Sequence, residues 1–163
     1  MSSNVRLTPL DEKTLEPLLS VAVAEAEPDD VMPPVDAPAG WSHARREAFR
    51  EFHRARFDGL NGATRTAMFA IMVGDDVVGM IRMTCDDQPT AMETGMWLGK
   101  SARGQGLAAT ALRLLLAEAV GAGARLVTAE TTVDNTPAVS VLRRAGAELK
   151  RDGDVVRAQI RLG

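Results

Sequence analysis

Apolar and polar residues alternate over Val5-Arg6-Leu7-Thr8 up to Pro9, which predicts a short first strand. Leu15, Leu18, Leu19, Ala22 and Val23 then recur at helical spacing, with Asp11 or Thr14 available as the cap. Pro17 fits only a first turn, so it favours a start near Thr14. From Glu25 to Gly40 the periodicity is lost: four prolines (Pro28, Pro33, Pro34, Pro38) and five acids (Glu25, Glu27, Asp29, Asp30, Asp36) without a base predict a loop. Ser42 caps a second helix to about Phe57, with Phe49, Phe52 and Leu60 as apolar anchors. Arg45, Arg46, Arg50, Arg54 and Arg56 fall mostly on its wet side.

Beyond Asn61-Gly62 come apolar runs bounded by turn residues. Thr66 to Val73 and Val77 to Thr84 read as antiparallel strands about Gly74-Asp75-Asp76, and Ala91 to Leu98 as a third strand after Asp86-Asp87-Gln88-Pro89. A helix from Gly104 to Ala119 carries Leu107, Ala111, Leu114, Leu115 and Glu118, and Gly121-Ala122-Gly123 stops it. The strand from Leu126 to Thr131 completes a βαβ crossover with the strand from Ala91. Asn135 opens a last helix with Pro137 in its first turn, Gly146 ends it, and Ala147 to Arg151 with Val155 to Arg161 form a closing hairpin about Asp152-Gly153. The order is β-α-α-β-β-β-α-β-α-β-β, an α/β chain with a mixed sheet.

Composition narrows the class without naming it. A chain of 163 residues, 45% hydrophobic and 25% charged, is expected to form one globular domain over residues 1–163. Its net charge of −3 provides no overall basic field for nucleic acid. The single Cys85 cannot form an internal disulfide, and the amino terminus shows no basic-then-apolar signal pattern, so a reducing cytoplasm is the expected compartment. No apolar run approaches the roughly 20 residues that cross a bilayer. His43 and His53 have no Cys or acidic partner at ligand spacing, so they read as surface residues and no metal is expected. Arginine outnumbers lysine by 16 to 3, the bias of a GC-rich bacterial genome.

The chemistry gathers between Glu93 and Leu116. A strand runs into the basic glycine turn Arg103-Gly104-Gln105-Gly106 and then into a helix whose first turn, Leu107-Ala108, leaves backbone N–H groups uncovered. Such a turn is an anion site, and a phosphate is expected there. Gly104-x-Gly106-x-x-Ala109 also fits a relaxed dinucleotide fingerprint, with Glu130 as a ribose-binding acid. Context disfavours that reading: Lys100 to Arg103 separate the glycines from the strand, too little chain remains for a doubly wound sheet, and no Gly-Lys-Ser/Thr ending makes it a P-loop.

Arg103-x-x-Gly106-x-Ala108, preceded by Glu93-x-Gly95-x-Trp97-Leu98, resembles the acyl-CoA pyrophosphate loop of the GNAT N-acetyltransferase superfamily, nearest the branch of ribosomal-protein N-terminal acetyltransferases. Asn135-x-x-Ala138-x-x-x-Leu142-Arg143-Arg144-x-Gly146-Ala147 resembles that superfamily's fourth helix, and the element order agrees along essentially the whole chain. The resemblance implies a GNAT-like fold in which the strands Ala91 to Leu98 and Leu126 to Thr131 splay apart, with Gly95 marking the irregularity. It also implies acetyl-CoA as cosubstrate, held by Met96, Trp97 and Leu98, by the turn residues Arg103, Gly104, Gln105, Gly106, Leu107 and Ala108, and by Asn135. Asn135 is equally explained as a helix cap.

In that family an amine attacks the thioester directly, and backbone N–H groups near Met96 or Trp97 would hold the oxyanion. A neutral amine is required, and Glu93 matches an acid of the family pattern that would serve as general base, directly or through water; its alternative is a strand glutamate paired with an arginine. For protonating the thiolate the family's tyrosine position is Leu142 here, no tyrosine exists in the chain, and Ala138 stands where the terminal-acetyltransferase branch often has serine. Ser140 lies about 200° around an ideal helix from Ala138, which leaves Ser140, water or no dedicated acid open. Cys85 has no recognisable catalytic His or Asp partner to make it a nucleophile. The acceptor is expected to be a small-molecule amine or a protein N-terminus, and the acidic segment Glu25 to Gly40 would favour a cationic one. A non-catalytic acyl-CoA-binding or sensor module is the alternative function, and a homodimer through the terminal hairpin or an exposed edge strand is open.

Overall fold

The computed structural model describes residues 4–163, so residues 1–3 of the amino-terminal stretch read above for a signal pattern lie outside it. Strand β1 (Val5–Pro9) leads to α1 (Glu12–Glu25), a single helical turn α2 (Pro28–Val31) and α3 (His43–Arg54). Strands β2 (Thr66–Val73), β3 (Asp76–Cys85) and β4 (Ala91–Leu98) follow as a meander. Helix α4 (Leu107–Gly121) crosses to β5 (Leu126–Thr132), and α5 (Thr136–Arg144) precedes the hairpin β6 (Glu148–Asp152) and β7 (Val155–Arg161). One seven-stranded sheet results, in the order β1-β2-β3-β4-β5-β7-β6. Every neighbouring pair is antiparallel except β4 and β5, which the crossover through α4 makes parallel.

The period-two pattern of the strands divides the core between two faces. On one, Met68, Ala70, Met72 and Met80 pack against Leu15, Leu18 and Leu19 of α1 and Phe49 of α3. On the other, Phe69, Ile71, Ile81 and Met83 pack against Leu107, Ala111, Leu112 and Leu115 of α4. Each fully buried side chain of this kind contributes about 1.5–3 kcal/mol of transfer free energy, so both helical layers are fastened independently to the central strands.

Local chemistry moved several boundaries. Asp11, not Thr14, caps α1: its carboxylate accepts from the Thr14 N–H at 3.0 Å while the Thr14 hydroxyl accepts from the Asp11 N–H at 2.9 Å. That reciprocal capping box outweighs the loss of one helical bond at Pro17, which therefore sits inside the helix. The acidic segment contains α2 because Pro28 is suited to a first helical position and Asp29 and Asp30 complement a helix N-terminus. Ser42 caps α3 as expected, but the helix ends at Arg54. Helix α4 starts at Leu107 rather than Gly104, because the left-handed Gly104 and Gly106 cannot extend it, and its buried stripe includes Leu112 and Ala119 while Glu118 is exposed.

His53 is the largest correction. Rather than lying at the surface, its ring is 0% exposed, stacked on Phe49 at 4.0 Å between ring centres and edge-on to Phe52 at 5.1 Å. Its Nδ1 bonds the Phe49 carbonyl at 2.7 Å, and its Nε2 is buried without a partner. Burial, opposed by that hydrogen bond and reinforced by the charge of Arg56, lowers its pKa to about 4.

Candidate functional site

The parallel pairing of β4 with β5 is short. Ala91, Met92 and Glu93 stand opposite Leu126, Val127 and Thr128, after which β4 continues only with β3 and β5 only with β7. A wedge therefore opens beyond Glu93. The Thr90 carbonyl accepts from the Leu126 N–H at 3.2 Å, whereas the Gly99 N–H donates to Val78 on β3 at 2.9 Å. By strand alternation the main-chain groups of Thr94, Met96 and Leu98 face the wedge, and those of Gly95 and Trp97 face β3. Of the two candidate oxyanion donors, only Met96 directs its N–H into the gap.

Gly95 does not produce this opening as an irregularity, since the β3–β4 register runs unbroken from Gly79 opposite Leu98 to Cys85 opposite Met92. It makes room for an arginine instead. A Cβ at Gly95 would stand 2.8 Å from Nη2 and 3.1 Å from Cζ of Arg82, its cross-strand partner. Lying over that glycine, Arg82 donates through Nη1 to the Glu93 carboxylate at 2.7 Å. Glu93 is thus paired with an arginine through one carboxylate oxygen, which is compatible with either reading of it, and its side chain remains about half exposed at 46%.

At the wide end of the wedge lies the glycine turn. Gly104 and Gly106 have φ of 78° and 76°, with open space where side chains would project, so glycine is required there by backbone conformation and not by crowding. Gly106 is the N-cap of α4 and no side chain caps it, which leaves the first N–H groups of the helix, from Leu107 and Ala108 onward, for an anion. The Leu107 side chain is buried in the core, so only its backbone faces outward. Arg103 is exposed, its Nε donating to the Leu98 carbonyl at 3.2 Å, and Gln105 donates to the Ser101 carbonyl at 2.9 Å. The turn is also braced from afar: the Glu25 carboxylate accepts from the Ser101 N–H at 2.6 Å, and this bond, with a smaller contribution from Arg103, holds the Glu25 carboxyl below its usual pKa.

On the α1–α3 side of β4 a cleft of about 480 Å³ opens, with Arg82, Gly95, Met96 and Trp97 in its wall. Asp29 and Asp30 from the acidic segment line it too, together with Phe52 and Arg56. Arg56 is therefore not on the wet side: its guanidinium stacks on the Phe52 ring at 3.7 Å and donates to the Phe52 carbonyl at 2.7 Å. Nor is the rim simply acidic, because Asp29 faces Arg45 at 3.4 Å and Glu25 is committed to the glycine turn.

Of the remaining predicted residues, Asn135 caps α5, its side-chain oxygen accepting from the Ala138 N–H at 3.3 Å. Ser140 is half-buried on α5 and is not part of the cleft wall; Leu142 is in the core. Arg82, Arg56 and Glu25 escaped sequence reasoning. Arg82 had a signal, as the one charge inside the apolar run Val77 to Met83.

A mixed sheet that splays beside its single parallel pair, with a glycine turn feeding an uncapped helix at the mouth of the splay, defines a GNAT-type acyltransferase. The family profile of the acetyltransferase (GNAT) domain matches residues 4–148, and the chain belongs to this family of N-acetyltransferase enzymes. Comparison with curated proteins finds no significant sequence match. Among solved structures, the chain is similar to RimL, a ribosomal L7/L12 alpha-N-protein acetyltransferase in complex with coenzyme A, at TM-score 0.78 and 20% identity over 99% of this chain and 96% of that one. A Salmonella typhimurium acetyltransferase that modifies the N-terminal serine of ribosomal protein L7/L12 matches at 0.77 and 19%, covering 99% and 97%. The Campylobacter jejuni N-acetyltransferase PseH, in complex with acetyl coenzyme A, matches at 0.70 and 11%, covering 98% and 99%. These likenesses are of fold. Among the described residues no helix is long and apolar enough to cross a membrane, and no cluster of His, Cys, Asp and Glu could hold a metal ion.

Proposed function

We propose that the chain is an acetyl-CoA-dependent N-acetyltransferase in which a primary amine attacks the thioester directly. The observation that carries this reading is the wedge between β4 and β5 ending at an uncapped helix N-terminus: one edge offers unpaired strand groups to an extended amide-containing arm, and the other offers N–H donors to a pyrophosphate. Arg103, Gly104, Gln105, Gly106, Leu107 and Ala108 would hold the phosphates, largely through backbone. Leu98 and Met96 would hold the arm along β4, with Trp97 as the cleft wall and Asn135 across from them.

When bound, acetyl-CoA supplies an activated acetyl group. The chain's part is to position and to move protons. The Met96 N–H is directed to hold negative charge on the carbonyl oxygen. Glu93 acts as general base: one carboxylate oxygen takes the Arg82 bond, and the other is left to draw a proton from the amine through water. As the new C–N bond forms and the C–S bond breaks, the departing sulfur takes a proton from water or from Ser140, because Leu142 is apolar and buried.

The first test is thermal unfolding with acetyl-CoA and, in parallel, NADH. Acetyl-CoA at 100 times its Kd should stabilise the fold by about 2.7 kcal/mol, and thiol release should follow on addition of amines. Stabilisation by NADH alone would restore the dinucleotide reading. Binding of acetyl-CoA without turnover on any amine would make the chain a binding module.

A further inference from the structure

Two guanidinium groups, Arg56 and Arg82, share the wall of the cleft with Asp29 and Asp30, and of the two only Arg82 is ion-paired, to Glu93. Arg82 spends Nη1 on Glu93 and, at 3.4 Å, on the Thr84 hydroxyl, while its Nε and Nη2 have no acceptor among the described residues. Arg56 has no carboxylate within 4.0 Å among the described residues; its one polar bond is to the Phe52 carbonyl at 2.7 Å. Burial, and after it the nearby charge of Arg82, pull the Arg56 pKa below its ordinary value.

The acids of the cleft do not settle this imbalance. Asp29 is 69% exposed and faces Arg45, and Asp30 is exposed, so both act through water and salt. Arg82 is only 31% exposed and Arg56 is half-buried, in surroundings where charge is screened far less. Stacking on Phe52 fixes the plane of Arg56, and Gly95 lets Arg82 lie flat on the strand, so both present edges ready to grip a planar anion.

We propose that Arg56 and Arg82 form an anion subsite in the acceptor cleft, and that the preferred acceptor is an amine that also carries a carboxylate. This inference rests on the acetyltransfer reading and replaces the cationic acceptor anticipated from the acidic segment. Because Arg82 also bonds Glu93, an acceptor carboxylate at Arg82 is held beside the base that its amine needs.

The test titrates the protein, with CoA present, against the C-terminally amidated peptides Ser-Glu-Ala, Ser-Gln-Ala and Ser-Lys-Ala and against free glutamate and glutamine, each as its α-amide so that only the glutamate side chain supplies a carboxylate, reading the fluorescence of the tryptophans, of which Trp97 lines the cleft. Binding about tenfold tighter for carboxylate than for the matched amide is expected, with Arg56→Gln removing the difference and Arg56→Glu turning it toward the lysine peptide. Discrimination confined to the peptides, or shared by free glutamate, assigns the carboxylate to a peptide or to an amino acid and supports the subsite either way. Equal binding of acid and amide, preference for the lysine peptide, or a ratio that survives Arg56→Gln would overturn it. Should that variant fail to fold, the wild-type ratios decide alone. Thiol release from acetyl-CoA, measured alongside, separates the two claims: discrimination without release refutes acetyltransfer and leaves the subsite, whereas release without discrimination refutes the subsite and leaves acetyltransfer.

Discussion

Acidification from pH 7 to pH 5 is expected to weaken the fold by about 2 kcal/mol through His53 alone. In the folded chain the His53 pKa is about 4, lowered first by burial, against 6.5 for an unperturbed histidine. The unfolded chain therefore takes up a proton first as the pH falls. The contribution of a neutral His53 is present in full above pH 6.5, is lost between 6.5 and 4, and is flat below 4. At pH 5 an unfolded-state imidazole is protonated in about 97% of molecules and the folded one in about a tenth, which gives the 2 kcal/mol. For a chain of this length that corresponds to a fall in Tm of about 4–8 °C. The loss reaches the cleft beside β4, because the His53 ring is edge-on to Phe52, on which Arg56 is stacked. The assay is urea unfolding of wild type and His53→Leu at pH 5 to 7.5. The variant starts less stable at neutral pH, from lost packing on Phe49, but keeps only the shallower slope due to carboxylates. Parallel stability curves for the two proteins across this range would refute the assignment of a buried, neutral His53.

The other predictions concern the proposed chemistry. Glu93→Gln should lower kcat by about 10²- to 10⁴-fold with acetyl-CoA affinity unchanged, and an unaltered pH–rate profile would remove Glu93 as the base. Gly106→Val places a branched side chain at a φ of 76°, at a cost of about 1–3 kcal/mol, and should raise the Kd for CoA by about tenfold or more; isothermal titration that shows no change would sink the phosphate turn. Arg103→Ala should weaken CoA binding less, and most at low salt, since this exposed charge is screened. Gly95→Ala drives a methyl to 2.8 Å from Arg82 Nη2 and displaces the flexible guanidinium, so kcat/KM should fall while the half-exposed ion pair costs at most about 1 kcal/mol of stability; wild-type turnover would show that Arg82 has no part in positioning Glu93.

What the sequence determined by itself was whatever depends on neighbours along the chain. Apolar runs bounded by turn residues located β2 and β4, the Ser42 and Asn135 caps were legible from residue type, and Arg103 with Gly104 and Gly106 before a small-residue helix marked the glycine turn that opens α4. Element order carried the family fold because strand and helix periodicities are local, and the crossover hand then leaves few topologies. Only the tertiary structure could decide which distant groups meet. Glu25 reaches Ser101 across 76 positions, Arg82 finds Glu93 through strand register, and Arg56 turns into the cleft because α3 ends at Arg54 and its guanidinium stacks on Phe52. His53 stands one helical turn after Phe49, and its ring is fully buried because the face of α3 that the two share is the one packed inward, which only the tertiary structure decides. A spacing along one chain fixes local geometry, but charge matching, burial and pKa depend on through-space neighbours, which register and packing alone supply.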